Sequence, residues 1–436
     1  MDLAASEHWE VRTLGALLAI AGLPFTAMGR RRFWMTARKH IWPLTFPVAE
    51  VYRRTVLRHT RVIPIIGSFG KTTTTRAVAA VLDQPSKHLE WGLNSRGFLA
   101  EALLKAKRNR QYLAVEVGIS RKGVMRRYAR LLRPSFAVVT SIGTEHHTGL
   151  GSIERIAFEK AEMLRWLPAD GAAILNGDDA NVLGMGCETQ AYVVTFGLDE
   201  GCDIRATGYR LEGATGATFD LHVEGETRRL HTRLIGRHQI YAILAAVAVA
   251  QATNQDLDEA CRRLELLTPT DRRLVPVQLG DRTVILVDDY KSVQETAHAA
   301  LETLEAFPSE KRIAVLGTIF EPTGDADEVY RGVGRHAGRV AEEVIFVGPN
   351  REFESLARGV RESGGSARHA ESGIHEAARL VQDMLVPGTA VLLKGFGAQR
   401  LSRIGLRLAG SGVSCSRPTC SASLTWSCAT CPFLEA

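Results

Sequence analysis

Repeated long hydrophobic runs are missing from this sequence, and a polytopic membrane protein is excluded with them. Hydrophobic residues make up 45% of the 436 and charged residues 23%, which also leaves no room for a disordered chain. The stretch with the strongest claim to a membrane, Thr13 to Gly29 (TLGALLAIAGLPFTAMG), is uncharged for 17 residues, the lower edge of a span. Gly15, Gly22 and Pro24 inside it favour packing or attachment to a membrane surface over crossing. Arg30, Arg31 and Arg32 follow and would keep the body of the protein in the cytoplasm. Asp2, Glu7 and Glu10 precede it, without the basic start of a secretory signal, so no cleaved leader is expected.

Acidic residues are scarce only at the start. Residues 1–61 hold 10 Lys or Arg against 4 Asp or Glu, and the remainder balances at 44 against 44. A basic arm can approach anionic lipid, but no basic motif interleaved with aromatics recurs downstream, so nucleic acid is not an expected partner. No internal repeat is present. Regularly spaced cysteines are lacking too: Cys187, Cys202 and Cys261 are scattered and read as ordinary buried thiols. Cys415, Cys420, Cys428 and Cys431 crowd the end. That density can bind Zn²⁺ or an iron–sulfur cluster, although the spacing fits no common module; an unfolded extension or an altered reading frame is the other reading.

What is there begins at Arg61. RVIPIIGSFGKTTTTRAVAAVL reads as a strand, a glycine-bounded loop and a helix, the opening of an α/β domain. Tyr112 to Gly118, Ser135 to Gly143 and Ala172 to Asp179 are apolar enough to be strands buried on both faces, hence a parallel sheet. From about 190 to 235 apolar and polar positions alternate around Glu224-Gly225-Glu226, which predicts a small antiparallel β layer attached to the first domain. HQIYAILAAVAVAQA reads as a helix, and Pro269 marks a junction. TVILVDDY, RIAVLGTIF, EEVIFVG and TAVLLKG then supply strands for a second, Rossmann-like α/β unit. The expected division is a basic and apolar arm (1–60), a central ATP-binding domain (61–267), a C-terminal ligase domain (268–410) and a Cys-rich tail (411–436).

The loop Gly67-Ser68-Phe69-Gly70-Lys71-Thr72, followed by Thr73, carries the chemistry. Glycines let backbone N–H groups close around phosphate oxygens, the helix N-terminus adds its dipole, Lys71 neutralises phosphate charge and Thr72 can bind Mg²⁺. The loop has one residue fewer between its glycines than the general phosphate-loop spacing. GKTTT with that spacing, together with AVVTSIGTEHHTGLGSIERIAFEKAEML, resembles the Mur ligase family, which includes folylpolyglutamate and cyanophycin synthetases. The resemblance runs from about Arg61 to Gly397 and is strongest to the branch that adds D-alanyl-D-alanine to a muramyl tripeptide.

The resemblance implies an ATP-dependent ligase joining a small-molecule carboxylate to an amino acid or dipeptide through an acyl phosphate, with ATP and Mg²⁺ as cofactors. It assigns metal-binding roles to Thr72, Glu116, His146 and a carbamylated Lys160, and a place in a substrate loop to Asn94. It assigns nucleotide contacts to His238, Arg273 and Asp288, and charge stabilisation during transfer to Lys71, His146, Lys160 and Arg273. His147 reads as a bystander. Several positions depart from the family. Ser141 and Gln239 replace asparagines, Ala242 another, and Arg272 stands in a glycine position. YKSVQET replaces a Tyr-Asn-Ala-Asn-Pro-type run, and GTIFEPTG and LLKGFG keep only the skeleton of amine-substrate loops. Residues 1–60 do not read as the UDP-sugar domain of the muramyl ligases. A different carboxylate, such as a polyglutamate-type or membrane-presented one, and a nucleotide-binding partner protein without ligation are therefore the competing readings.

Overall fold

The computed structural model describes residues 43–84, 96–145, 147–280, 282–420, 427–431 and 434. The expectations for Asn94, His146 and Thr13 to Gly29 lie outside them. The chain divides into two compact units: one takes residues up to His59 together with Asn94–Arg110, and the other takes Thr60–Leu93 and Gln111 onward. In the first, a helix over 43–55 and another over Arg96–Lys105 bury Ala49, Leu57, Leu99 and Leu103, and Tyr52 Oη donates to Ala106 O at 3.2 Å. Among the described residues no helix is long and apolar enough to cross a membrane.

The second unit is built on two sheets. The first contains β1 (Arg61–Ile66), β2 (Tyr112–Glu116), β3 (Phe136–Val139), β4 (Ala172–Asn176), β5 (Tyr192–Gly197), β6 (Ile204–Leu211), β7 (Ala217–Val223) and β8 (Glu226–Thr232). Their spatial order is β2-β1-β3-β4-β5-β6-β7-β8. Pairing is parallel from β2 through to β6 and antiparallel for β6-β7-β8. The antiparallel strands therefore lie in the same sheet as the parallel ones, and β5 belongs to the parallel part. Strands β1 to β4 are almost continuously buried, as strands covered on both faces must be. Helices α1 (Lys71–Val81), α2 (Ile153–Ala161) and α3 (Ile240–Ala252) serve this sheet. In α3, residues Ala242 to Ala250 are all buried, the fate of a helix that is apolar all round.

The second sheet contains β9 (Val275–Leu279), β10 (Thr283–Asp288), β11 (Lys311–Leu316), β12 (Glu343–Phe346), β13 (Ala367–His369) and β14 (Thr389–Lys394), in the order β13-β12-β11-β14-β10-β9. Only β9 runs antiparallel. β9 is half-exposed and interrupted by Pro276, and β13 has three residues, so neither stood out in the sequence as a buried strand. After β10 the chain turns through residues 289–293 into α4 (Gln294–Ala306).

In the first sheet β1 lies between β2 and β3, so the chain leaves β1 toward one neighbour and returns on the other side. The loop after β1 thus opens at a topological switch point, where crevices form beyond the carboxyl ends of parallel strands.

Candidate active site

Residues 67–70 connect β1 to α1. Gly67 has φ +143°, and a Cβ there would stand 2.0 Å from Thr140 Oγ1. Gly70, with φ +78°, is the N-cap of α1 and carries no side chain to cap it, so the first N–H groups of the helix face the loop. Ser68 Oγ accepts from Gly143 N at 2.9 Å, and Ser141 Oγ accepts from Phe69 N at 2.9 Å. The serine that replaces an asparagine thus pins the loop to the segment following β3. Lys71 Nζ donates to Gly67 O and Ser68 O, both at 2.8 Å, and pairs with Glu145 at 3.2 Å.

Four more predicted residues meet at this loop. Thr72 Oγ1 donates to Glu116 Oε2 at 2.7 Å, and Glu116 ends β2 with 8% of its surface exposed. Lys160, on α2 and 4% exposed, donates from Nζ to Ser68 Oγ at 2.8 Å. Burial first, and the Lys71 charge second, hold its pKa well below the usual lysine range. Arg273 reaches from the junction between the sheets to donate to Thr72 Oγ1 at 2.9 Å, its guanidinium lying 4.7 Å from the Tyr290 ring centroid. Thr73 instead turns to Thr270, 3.3 Å away, and His147 contacts the carbonyl of Thr144 in its own turn.

His238 follows Gly236 in a short 3₁₀ turn ahead of α3. The residue keeps exposed surface but its ring is crowded by surrounding protein, and desolvation brings its pKa down to about 4 despite the Asp288 charge. Asp288, at the end of β10, is paired with Lys394 at 2.7 Å, both buried. Arg272 has φ +59°, which accounts for glycine being the usual residue there. Its guanidinium is bound to Asp289 at 2.7 Å and to Gly397 O at 2.9 Å, with 3% and 0% of Arg272 and Asp289 exposed.

Four residues of this neighbourhood went unnoticed in the sequence: Glu145, Lys291, Glu295 and Lys394. Glu145 bridges Lys71 and, at 2.5 Å, Lys291. Glu295, in the first turn of α4, accepts from Thr144 N at 3.0 Å and Thr144 Oγ1 at 2.7 Å. Each pairs with residues far away in the chain, so no local spacing announces it.

The structure gives no support to a metal centre at the four tail thiols. Among the described residues, which include all four, no group of three His, Cys, Asp or Glu is placed to hold a metal ion. The Zn²⁺ or iron–sulfur expectation therefore finds no support. The segment is tied down by other means: Ser414 N and Cys415 N donate to Leu434 O, Cys420 N donates to Ala398 O, and Val413 and Leu434 are buried against the second sheet's core.

The loop suits a magnesium nucleotide. Bare helix N–H groups and the ammonium and guanidinium groups of Lys71, Lys291 and Arg273 make an anion site, while the Thr72–Glu116 oxygen pair offers the hard donors that Mg²⁺ prefers.

Comparison with known proteins agrees. The family model for the Mur ligase middle domain matches residues 65–250, and that for the Mur ligase glutamate ligase domain matches 262–397. A UDP-N-acetylmuramoyl-tripeptide–D-alanyl-D-alanine ligase of Mycobacterium tuberculosis (strain ATCC 25618 / H37Rv) is 28% identical, over 79% of this chain and 72% of that protein. A UDP-N-acetylmuramate–L-alanine ligase of Xanthomonas axonopodis pv. citri is 30% identical, over 78% and 73%. Crystal structure I of MurF from Acinetobacter baumannii shares the fold, with a TM-score of 0.75 at 21% identity over 85% of this chain and 81% of that one. Two matched domains covering both sheets, and relatives aligned over most of their length, place the chain in the Mur ligase family of ATP-dependent, amide-forming ligases.

Proposed function

We propose that this ligase extends a peptidoglycan-precursor peptide, joining its terminal carboxylate to D-alanyl-D-alanine or a similar dipeptide in the cytoplasm. The observation that carries this reading is the convergence of Lys71, Lys160 and Arg273 on one phosphate loop beside the Thr72–Glu116 pair. Relatives named for D-alanyl-D-alanine addition support the choice of amine.

In this reading residues 61–267 hold the nucleotide and residues 268–410 present the amine. The carboxylate oxygen bonds to the γ-phosphorus as the β–γ bridging bond breaks and its electron pair leaves with ADP. The amine then attacks the acyl carbon, releasing inorganic phosphate and a proton. Bound Mg²⁺ supplies charge neutralisation at the phosphates. Thr72 and Glu116 would hold one ion, and Lys160, converted to a carbamate, would contribute an anionic ligand for a second. The depressed basicity of Lys160 supports that conversion, since only a neutral amine adds CO₂. Lys71 and Arg273 orient the phosphates and offset developing charge.

Phosphate release by the full chain with MgATP tests the proposal. The carboxylates to compare are a UDP-linked muramyl tripeptide and polyglutamate; the amines are a panel of amino acids and dipeptides. Release should need both substrates and be fastest with the tripeptide and D-alanyl-D-alanine. Absence of substrate-stimulated release across the panel would count against ligation.

A further inference from the structure

Lys291 stands in the turn between β10 and α4, on the second sheet, yet its ammonium lies at the phosphate loop of the first. Nζ is 2.5 Å from Glu145 Oε1, 3.4 Å from Ser68 O and 5.0 Å from the Phe69 ring centroid. The other oxygen of Glu145 is 3.2 Å from Lys71 Nζ, which also donates to Ser68 O. One carboxylate is therefore gripped by two ammonium groups, one brought by each sheet, at the mouth of a loop shaped for phosphate. The main chain around Lys291 is fixed: Lys394 Nζ donates to Lys291 O at 2.9 Å, Phe320 N to Ser292 O at 2.6 Å and Tyr290 N to Arg272 O at 3.2 Å. The side chain keeps 27% exposure, so its ammonium is in reach of an incoming ligand.

A structural ion pair needs one cation for one carboxylate. Here Lys71, Lys160, Lys291 and Arg273 gather at the loop; Glu116, Asp179 and Glu295 are also near, but the Lys71 and Lys291 ammonium groups converge on the single carboxylate of Glu145, an arrangement suited to an incoming polyanion. Burial, opposed by Glu145, lowers the Lys291 pKa to about 8, so the group is mostly cationic at neutral pH. The residue falls in YKSVQET, the run in which this chain departs from the Tyr-Asn-Ala-Asn-Pro type.

We propose that Lys291 is a catalytic residue for phosphoryl transfer: with Lys71 it grips the γ-phosphoryl group, whose place between the two lysines Glu145 holds until the nucleotide arrives. This rests on the ligase reading above. During transfer the γ-phosphorus gains a bond to the carboxylate oxygen and loses that to the bridging oxygen. Lys291 contributes one ammonium to the charge shared by the equatorial oxygens and moves no proton. Because Glu145 competes from within the fold, a diphosphate that lacks the γ group leaves the Lys71–Glu145–Lys291 bridge intact, and a triphosphate displaces it.

Calorimetric titration of the full chain with MgATP and with MgADP tests this without either ligation substrate. Wild type should prefer MgATP. Lys291→Met should weaken MgATP by about tenfold or more, the scale of one lost charge-assisted hydrogen bond, and leave MgADP within about twofold. Lys291→Arg should keep most of the preference. Equal loss for both nucleotides, or undiminished preference in Lys291→Met, would overturn the role of Lys291 while leaving the ligase reading in place. A wild type that binds neither nucleotide defeats both. Should Lys291→Met fail to fold, Lys291→Gln, with its hydrogen-bonding tip, makes the same comparison.

Discussion

At the scale of single residues the site is a problem of cations held close together, and each cation solves it differently. Lys160 loses basicity through burial and the neighbouring Lys71. Its replacement by alanine should cut turnover by about 100-fold or more, with partial return when a small carboxylate such as formate is added. Phosphate release measures this, and full activity in Lys160→Ala would sink the carbamate role. Lys291 titrates at about 8, facing Glu145, Lys71 and Arg273. An amine is charged below its pKa, so the grip on a triphosphate is present below that value and fades above it. The MgATP preference of wild type should therefore fall between about pH 7 and about pH 9, and that of Lys291→Arg should not. Titrations at several pH values decide the matter. Lys71, Thr72, Glu116 and Lys160 were legible in the sequence because their motifs are local. Lys291 and Glu145 were not, because their meaning lies in a contact across 146 positions of chain.

At the scale of elements, the turn from β1 into α1 sets how tightly a backbone can close on phosphate. Gly67 has no room for a Cβ, whereas the nearest atom to one at Gly70 is 3.8 Å away. Gly67→Ala should thus cost about 2–3 kcal/mol and abolish MgATP binding, while Gly70→Ala should cost about 1 kcal/mol from its left-handed backbone alone. Urea unfolding with an unchanged m-value separates the two. The junction before β9 behaves differently, since Arg272 adopts a left-handed conformation as a large side chain and is secured by its buried bond to Asp289. Arg272→Ala should destabilise by about 3–5 kcal/mol by stranding that carboxylate, and adding Asp289→Ala should recover part of the loss. Equal stability of Arg272→Ala and wild type in the same measurement would contradict this. The central strands were readable as apolar runs. That β6, β7 and β8 continue the parallel sheet was not, because alternation reports which faces are buried and says nothing about which neighbour a strand chooses.

At the scale of the whole molecule, the tail acts through packing. A chain ending at Gly410 should carry the same zinc and iron as the full chain by elemental analysis. It should melt at a lower temperature, because Val413 and Leu434 leave their place against the second sheet, a burial worth about 2–4 kcal/mol. The junction between the sheets has a further mechanical meaning. Arg272 is bolted to the second sheet through Asp289 and Gly397, yet the very next residue, Arg273, touches Thr72 on the first. A hinge cannot lie within a bolted residue, so any pivot falls on the N-terminal side of Arg272. Arg273 then sits on the second sheet like the tip of a lever, and a rotation that parted the sheets would withdraw it and Lys291 from the loop in one stroke.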